Sequence, residues 1–138
     1  MKLADALEAK FNEQITLEFE ASMTYRQLAV IADAQSFPGM AQWLRAQADE
    51  EIVHANKFID HVVDRGGHAQ IGDIPAPKVA ADVKPVDIFK AALAHEEKVS
   101  EAIRELYRAA DAQGDLDSRP LLNWFLNEQI EEEATVGE

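Results

Sequence analysis

The chain has no cysteine among its 138 residues, which excludes disulfides and thiolate metal sites. Glycine and proline are scarce, at six and five residues, and residues 4–35 hold neither, so long helices meet few interruptions. No apolar run approaches the length needed to span a bilayer. Basic residues number only 13 against 26 acidic ones, for a formal charge of −13. A phosphate backbone demands the opposite sign, so nucleic acid is not an expected partner, whereas cations are. Acidity of this size also serves solubility alone. Met1-Lys2-Leu3-Ala4-Asp5 leads straight into an acidic amphipathic run with no resemblance to a signal peptide. The expectation is a soluble cytoplasmic protein of one domain over 1–138, with no membrane partner.

What is present is helical periodicity. The first predicted helix covers 4–35, with Leu7, Phe11, Ile15, Ala21 or Ser22, Tyr25, Leu28 and Ala32 on its apolar stripe. Ser36-Phe37-Pro38-Gly39 makes a tight turn, so the second helix, from about 39 to 65, is expected antiparallel to the first. Leu44, Ala48, Ala55, Phe58 and Val62 follow its stripe, and Gly66-Gly67 ends it. Residues 67–84 carry two prolines and no helical period. Helix two should be about 40 Å long. The eighteen connecting residues, extended, cover roughly 60 Å. The connector can therefore run the length of a bundle and start helix three back at the far end, parallel to helix two. Helix three follows from Pro85 to about Gln113 with Phe89, Leu93, Val99, Ile103, Leu106 and Ala110 on its stripe. Gly114 stops it. Asp117 or Ser118 is placed to cap a shorter fourth helix that has Pro120 in its first turn and Leu122, Phe125 and Val136 on its apolar side. The fold class read from this pattern is all-α: a four-helix bundle with a long crossover between helices two and three.

The acids then become informative. Glu51-Ile52-Val53-His54 places a carboxylate and an imidazole three apart on one helix face, the ligand spacing of di-iron carboxylate bundles. Alone it is a weak signal. However, Glu18 lies in register with Phe11 and Tyr25, Glu96 with Phe89 and Ile103, and Glu132 with Phe125, with Gln129 three before it. Every helix thus turns one glutamate toward the core. A single such residue reads first as a boundary position or the partner of a buried arginine. Four converging ones repel unless cations sit among them. Arg26, Arg45, Arg104 and Arg108 lie off the stripes or away from the acids, and His54 adds a nitrogen donor suited to iron. Tyr25 reads as core with a place beside the metals, and Trp124 as packing. His61, His68 and His95 read as surface residues. Glu128, Glu131 and Glu132 share one helix edge where an auxiliary cation could bind.

Four segments carry a family resemblance: Asn12-Glu13-Gln14-Ile15-Thr16-Leu17-Glu18, Asp49-Glu50-Glu51-Ile52-Val53-His54-Ala55, His95-Glu96-Glu97, and Trp124-Phe125-Leu126-Asn127-Glu128-Gln129-Ile130-Glu131-Glu132-Glu133. Together they resemble the bacterial non-haem ferritins along nearly the whole chain. The resemblance implies iron storage with ferroxidase activity, oxidising Fe(II) with O₂ or peroxide and keeping the ferric mineral in a twenty-four-subunit shell of this chain. It implies one iron on Glu18, Glu51 and His54, and a second, bridged by Glu51, on Glu96 and Glu132 with Gln129 nearby. It also implies a third, inward-facing site at Glu50, Glu128 and Glu131, and Tyr25 as the tyrosine beside the centre. No haem is expected: helix four lacks a histidine, and Ile52 stands where haem-binding relatives have methionine. Ferritins also continue through the rest of helix four and a short fifth helix, and the sequence stops before both. Two other readings share the ligands or the fold: a di-iron or di-manganese oxidase or peroxidase that stores nothing, and a non-catalytic bundle whose acids line a wet interior.

Overall fold

The computed structural model describes residues 2–137; the expected domain of 1–138 includes Met1 and Glu138, which lie outside them. Four helices account for most of the chain: α1 (Asp5–Ala34), α2 (Pro38–Asp64), α3 (Pro85–Ala112) and α4 (Arg119–Gly137), with a 3-10 turn at Leu116–Ser118 before the last. There is no strand among the described residues. Asp5 and Glu8 sit in the first turn of α1, where acids favour the helix dipole.

The first three helices end alike. The N–H of the third residue past the helix reaches back to the last turn, as in Phe37 N to Ala32 O, Gly67 N to Val62 O and Asp115 N to Ala110 O, each at 2.9 Å. That motif needs a left-handed residue just before the donor. Gly66 and Gly114 supply it with φ of 76° and 67°, while at the first turn Ser36 takes it up at φ 66°.

The connector behaves as its length implies. Glu8 accepts from the His68 backbone N–H, Asn12 bonds His68 and Gln70, Thr16 accepts from Gly72 N–H, and Gln35 donates to the carbonyls of Ala81 and Val83. Partners on α1 advance in step with the connector, so it climbs the whole of α1 and delivers α3 parallel to α2. A second tie holds the opposite end. Arg65, at the end of α2, forks onto Asp115 at 2.7 and 3.2 Å, and Ser118 donates to the same carboxylate at 2.6 Å. Burial alone would push the Asp115 carboxyl up, but Arg65 and Ser118 outweigh it and hold it below the usual carboxylate range.

Apolar packing falls into two blocks. One gathers Phe11, Ile15, Phe58, Ile103, Leu122 and Phe125, with Phe58 and Phe125 stacked at 4.1 Å. The other gathers Tyr25, Leu28, Leu44, Ile88, Ala92 and Val136. Between them lies a buried polar layer: Glu18 and Ser22 of α1, Glu51 and His54 of α2, Glu96 and Ser100 of α3, Gln129 and Glu132 of α4. The stripes expected on α1, α2 and α4 are all buried. On α3 the phase differs at the start: Ile88 and Ala92 are buried, while Phe89 and Leu93 are only half-buried. Phe89 and Leu93 border an open groove with Trp43 and Val136. Phe89 packs on Trp43 there, at 5.7 Å between rings.

Two histidines expected at the surface are instead half-buried. His61 packs on the Phe11 ring at 5.0 Å and its Nε2 lies 2.9 Å from Ser118 Oγ. His95 is covered to 12% side-chain exposure beside Glu20. Burial lowers the tendency of both rings to take up a proton. His68 is exposed, as expected. No described helix is long and apolar enough to cross a membrane.

Candidate metal centre

The polar layer sits near mid-height because each helix contributes its acid at the same level. Glu18, Glu51 and His54 are 0% exposed, Glu96 1%, Gln129 3% and Glu132 7%, values at which charged side chains occur only with compensation. Among the described residues the compensation is not arginine or lysine. Arg26 pairs with Asp49, and Arg104 and Arg108 pair with Glu101 on the surface. The nitrogen nearest Glu18 and Glu51 is that of His54, whose Nδ1 lies 3.8 Å from Glu18 Oε2 and 3.3 Å from Glu51 Oε2.

Hydrogen bonds satisfy part of the cluster and leave the rest aimed inward. Gln14 Nε2 donates to Glu18 Oε1 at 3.1 Å. The Tyr25 hydroxyl donates to Glu96 Oε1 at 2.7 Å, and Gln129 Nε2 donates to Glu96 Oε2 and to Ser100 Oγ, both at 3.0 Å. Glu18 Oε2, Glu51 Oε1, His54 Nε2 and Gln129 Oε1 are buried without a hydrogen-bond partner. Each such lone pair costs about 1–3 kcal/mol unless something electropositive meets it. The His54 ring itself is pinned edge-on by Phe125 at 5.5 Å and Trp124 at 5.7 Å. Trp124 is partly exposed and carries Lys57 over its other face, a packing role.

The electrostatics follow from this crowding. Burial pushes the Glu18 carboxyl well up, and the neighbouring Glu51 adds to it. Burial does the same to Glu51, with Glu96 raising it further. Glu132 is raised to about 7, first by burial and then by Glu96. Burial and the facing Glu96 also hold the Tyr25 phenol far above its ordinary range, so it remains a donor. Without a cation, protons must hold these acids together.

Three sets of donor atoms lie within 4.8 Å of one another: Glu18 with Glu51 and His54; Glu51 with Glu96 and Glu132; and Glu50 with His54, Glu128 and Glu132. The first two are the sets inferred from the sequence, and Glu51 belongs to both. The third overlaps the expected Glu50, Glu128 and Glu131 only in its first two members. Glu131 turns outward and is exposed, and His54 and Glu132 stand where it was expected. Glu128 and Glu132 are one helical turn apart, whereas Glu131 is rotated off that line. Sequence reasoning passed over Gln14 and Ser100. Each is a buried polar residue one turn from a core glutamate, and that spacing was the available signal.

A crossover four-helix bundle with a buried layer of carboxylates and one imidazole defines a carboxylate-type metal-binding protein. The family model for the ferritin-like domain matches residues 8–138, and the chain belongs to that ferritin family. It is 39% identical over 132 residues to a bacterial non-heme ferritin of Staphylococcus haemolyticus, covering 95% of this chain and 78% of that one. A Staphylococcus aureus protein of the same name is 36% identical over 129 residues, or 93% of this chain and 76% of that one. Among solved structures, the open pore ferritin of Archaeoglobus fulgidus superposes with a TM-score of 0.94 at 30% identity, covering 98% of this chain and 83% of that one. A PmFTN variant soaked in iron gives 0.94 at 30% identity, covering 97% and 85%.

Proposed function

We propose that this protein stores iron, oxidising Fe(II) at a two-iron centre and retaining the product as ferric mineral inside a closed shell of its own copies, in the cytoplasm. Glu18, Glu51 and His54 hold one substrate Fe(II). Glu51 bridges to a second, held by Glu96 and Glu132 with Gln129 Oε1 beside it. Each iron gives up one electron, the pair reducing O₂ or a peroxide together, which the shared carboxylate makes possible by keeping them close. Carboxylate oxygens favour the harder Fe(III), which drives the oxidation. Tyr25 holds Glu96 in place through its hydrogen bond. Glu50 and Glu128, reaching toward His54 and Glu132, offer a third stop for iron, with the exposed Glu131 on the same helix as Glu128. The twenty-four-subunit count and the absence of haem come from the family resemblance.

The observation that carries this reading is the pair of donor sets sharing Glu51 in a layer where, among the described residues, no lysine or arginine balances the charge. A storage-free oxidase acting on an organic substrate would need a pocket opening onto that layer. The groove of about 580 Å³ beside Trp43 and Phe89 is lined by none of the core glutamates, and a smaller one of about 260 Å³ reaches the layer only at Ser100 and Gln129.

The test is iron retained per chain after repeated additions of Fe(II) in air, with particle mass measured by light scattering. Storage predicts a large, uniform particle that keeps far more iron than its ligand sets can hold. Retention limited to those sets, on a monomer or dimer, would overturn storage and favour the oxidase.

A further inference from the structure

Gln14 is an unusual residue for its place. It lies on the core face of α1, 3% exposed, one turn before Glu18, where the surrounding stripe is Phe11, Ile15 and Leu7. A leucine would bury more apolar surface there. What the amide does instead is hold one oxygen of one carboxylate: Nε2 to Glu18 Oε1, 3.1 Å. The other oxygen, Oε2, is left buried and without a hydrogen-bond partner, and it is the one that faces His54 Nδ1. Across the layer Gln129 donates to Glu96 Oε2 and to Ser100 Oγ, while Tyr25 holds the other oxygen of Glu96.

There is also a physical need for such an anchor on α1. Gln14 forms part of a groove of about 340 Å³ between α1 and α3, shared with Glu13, Glu20 and Lys98. Glu18 itself is fully buried and does not line the groove, so the amide at position 14 forms the wall on that side. Without a donor at position 14, rotation about the last side-chain bond of Glu18 could turn its oxygens toward the groove and away from His54. A buried amide donor blocks that rotation at the cost of one apolar contact.

We infer that Gln14 is the positioning residue of Glu18: it selects which carboxylate oxygen is presented to the cation shared with Glu51 and His54. The inference rests on the two-iron reading above. Residues that hold a metal ligand from behind typically contribute 10- to 100-fold in affinity, about as much as is expected here.

Titration with Co(II) tests it, because Co(II) reports coordination by its visible bands and does not react with oxygen on the way in. Three proteins are compared: the unaltered chain, Glu18→Gln and Gln14→Met, which keeps length and loses the donor. Gln14→Leu serves as a second variant should the thioether pack poorly, and melting of each metal-free protein checks the fold. The expected result is that the Co(II) step removed by Glu18→Gln is weakened about 10- to 100-fold by Gln14→Met, with altered band shape, while the step that survives Glu18→Gln keeps its affinity. Unchanged affinity of the Glu18-dependent step would overturn the positioning role, and so would equal weakening of both steps. If the unaltered chain shows no step sensitive to Glu18→Gln, the two-iron reading itself fails, a distinct outcome.

Discussion

Replacing Glu18 and His54 together by alanine is expected to abolish rapid Fe(II)-dependent uptake of dioxygen while the four helices stay folded. The two residues supply the donors of the first set that Glu51 does not, so the first iron would be left with a single protein ligand. Removing even an indirect support of a metal ligand commonly costs 10–100-fold, and direct removal of two should cost more than about 100-fold. The fold should tolerate the change because the two effects on stability oppose each other. Loss of the His54 ring forfeits its contacts with Phe125 and Trp124. Loss of the Glu18 carboxyl relieves a group that burial and Glu51 both disfavour when charged. An oxygen electrode reads the first outcome and helical circular dichroism the second. Uptake at the unaltered rate would remove this set from the mechanism.

The second large effect is a pair of opposing slopes of stability against pH. Glu18 and Glu51 are held above the usual carboxylate value of 4.5, and Glu132 stands at about 7. The metal-free folded chain therefore keeps protons that the unfolded chain has already released. By linkage, what these carboxyls contribute to stability is complete below about pH 4.5 and is lost as pH rises through their folded values. Melting of the metal-free protein should thus fall steadily from about pH 5 to pH 8. A divalent cation reverses this. It binds only the deprotonated ligands of the folded state, so it competes with protons at the acid end and wins at the alkaline end. At 100 times its dissociation constant it adds about 2.7 kcal/mol, and at 1,000 times about 4.1. The melting temperatures with chelator and with Co(II) should therefore diverge as pH rises. The exposed charges behind the net −13 are common to both forms, so the divergence isolates the buried set. Parallel curves would show that the buried acids are not where the cation binds.

The architecture was legible because its signals are periodic. An apolar residue every three or four places marks a buried stripe whatever it packs against, and an eighteen-residue stretch with Pro75 and Pro77 admits few roles besides a crossover. The inward direction of the four glutamates was legible for the same reason, since a glutamate in register with apolar residues betrays its direction. Periodicity is silent about what faces a stripe. It placed Phe89 and Leu93 inward because they keep step with Glu96, but Ile88 and Ala92 take the core while Phe89 and Leu93 border a groove beside Trp43. It left His61 at the surface because Phe11 and Ser118, which enclose it, lie far away along the chain. Glu131 shares an edge with Glu128 only within a wide arc, and the structure draws that arc more tightly around Glu132. Gln14 and Ser100 escaped notice because their work is done on other polar side chains rather than on the apolar pattern.

The account stands on cations occupying the space between Glu18, Glu51, His54, Glu96 and Glu132. Crystals soaked in ferrous salt and measured on both sides of the iron absorption edge test this directly. Two anomalous peaks flanking the Glu51 carboxylate, one toward His54 and one toward Glu96 and Glu132, are the predicted result. An unoccupied layer with iron bound only at exposed acids would contradict it.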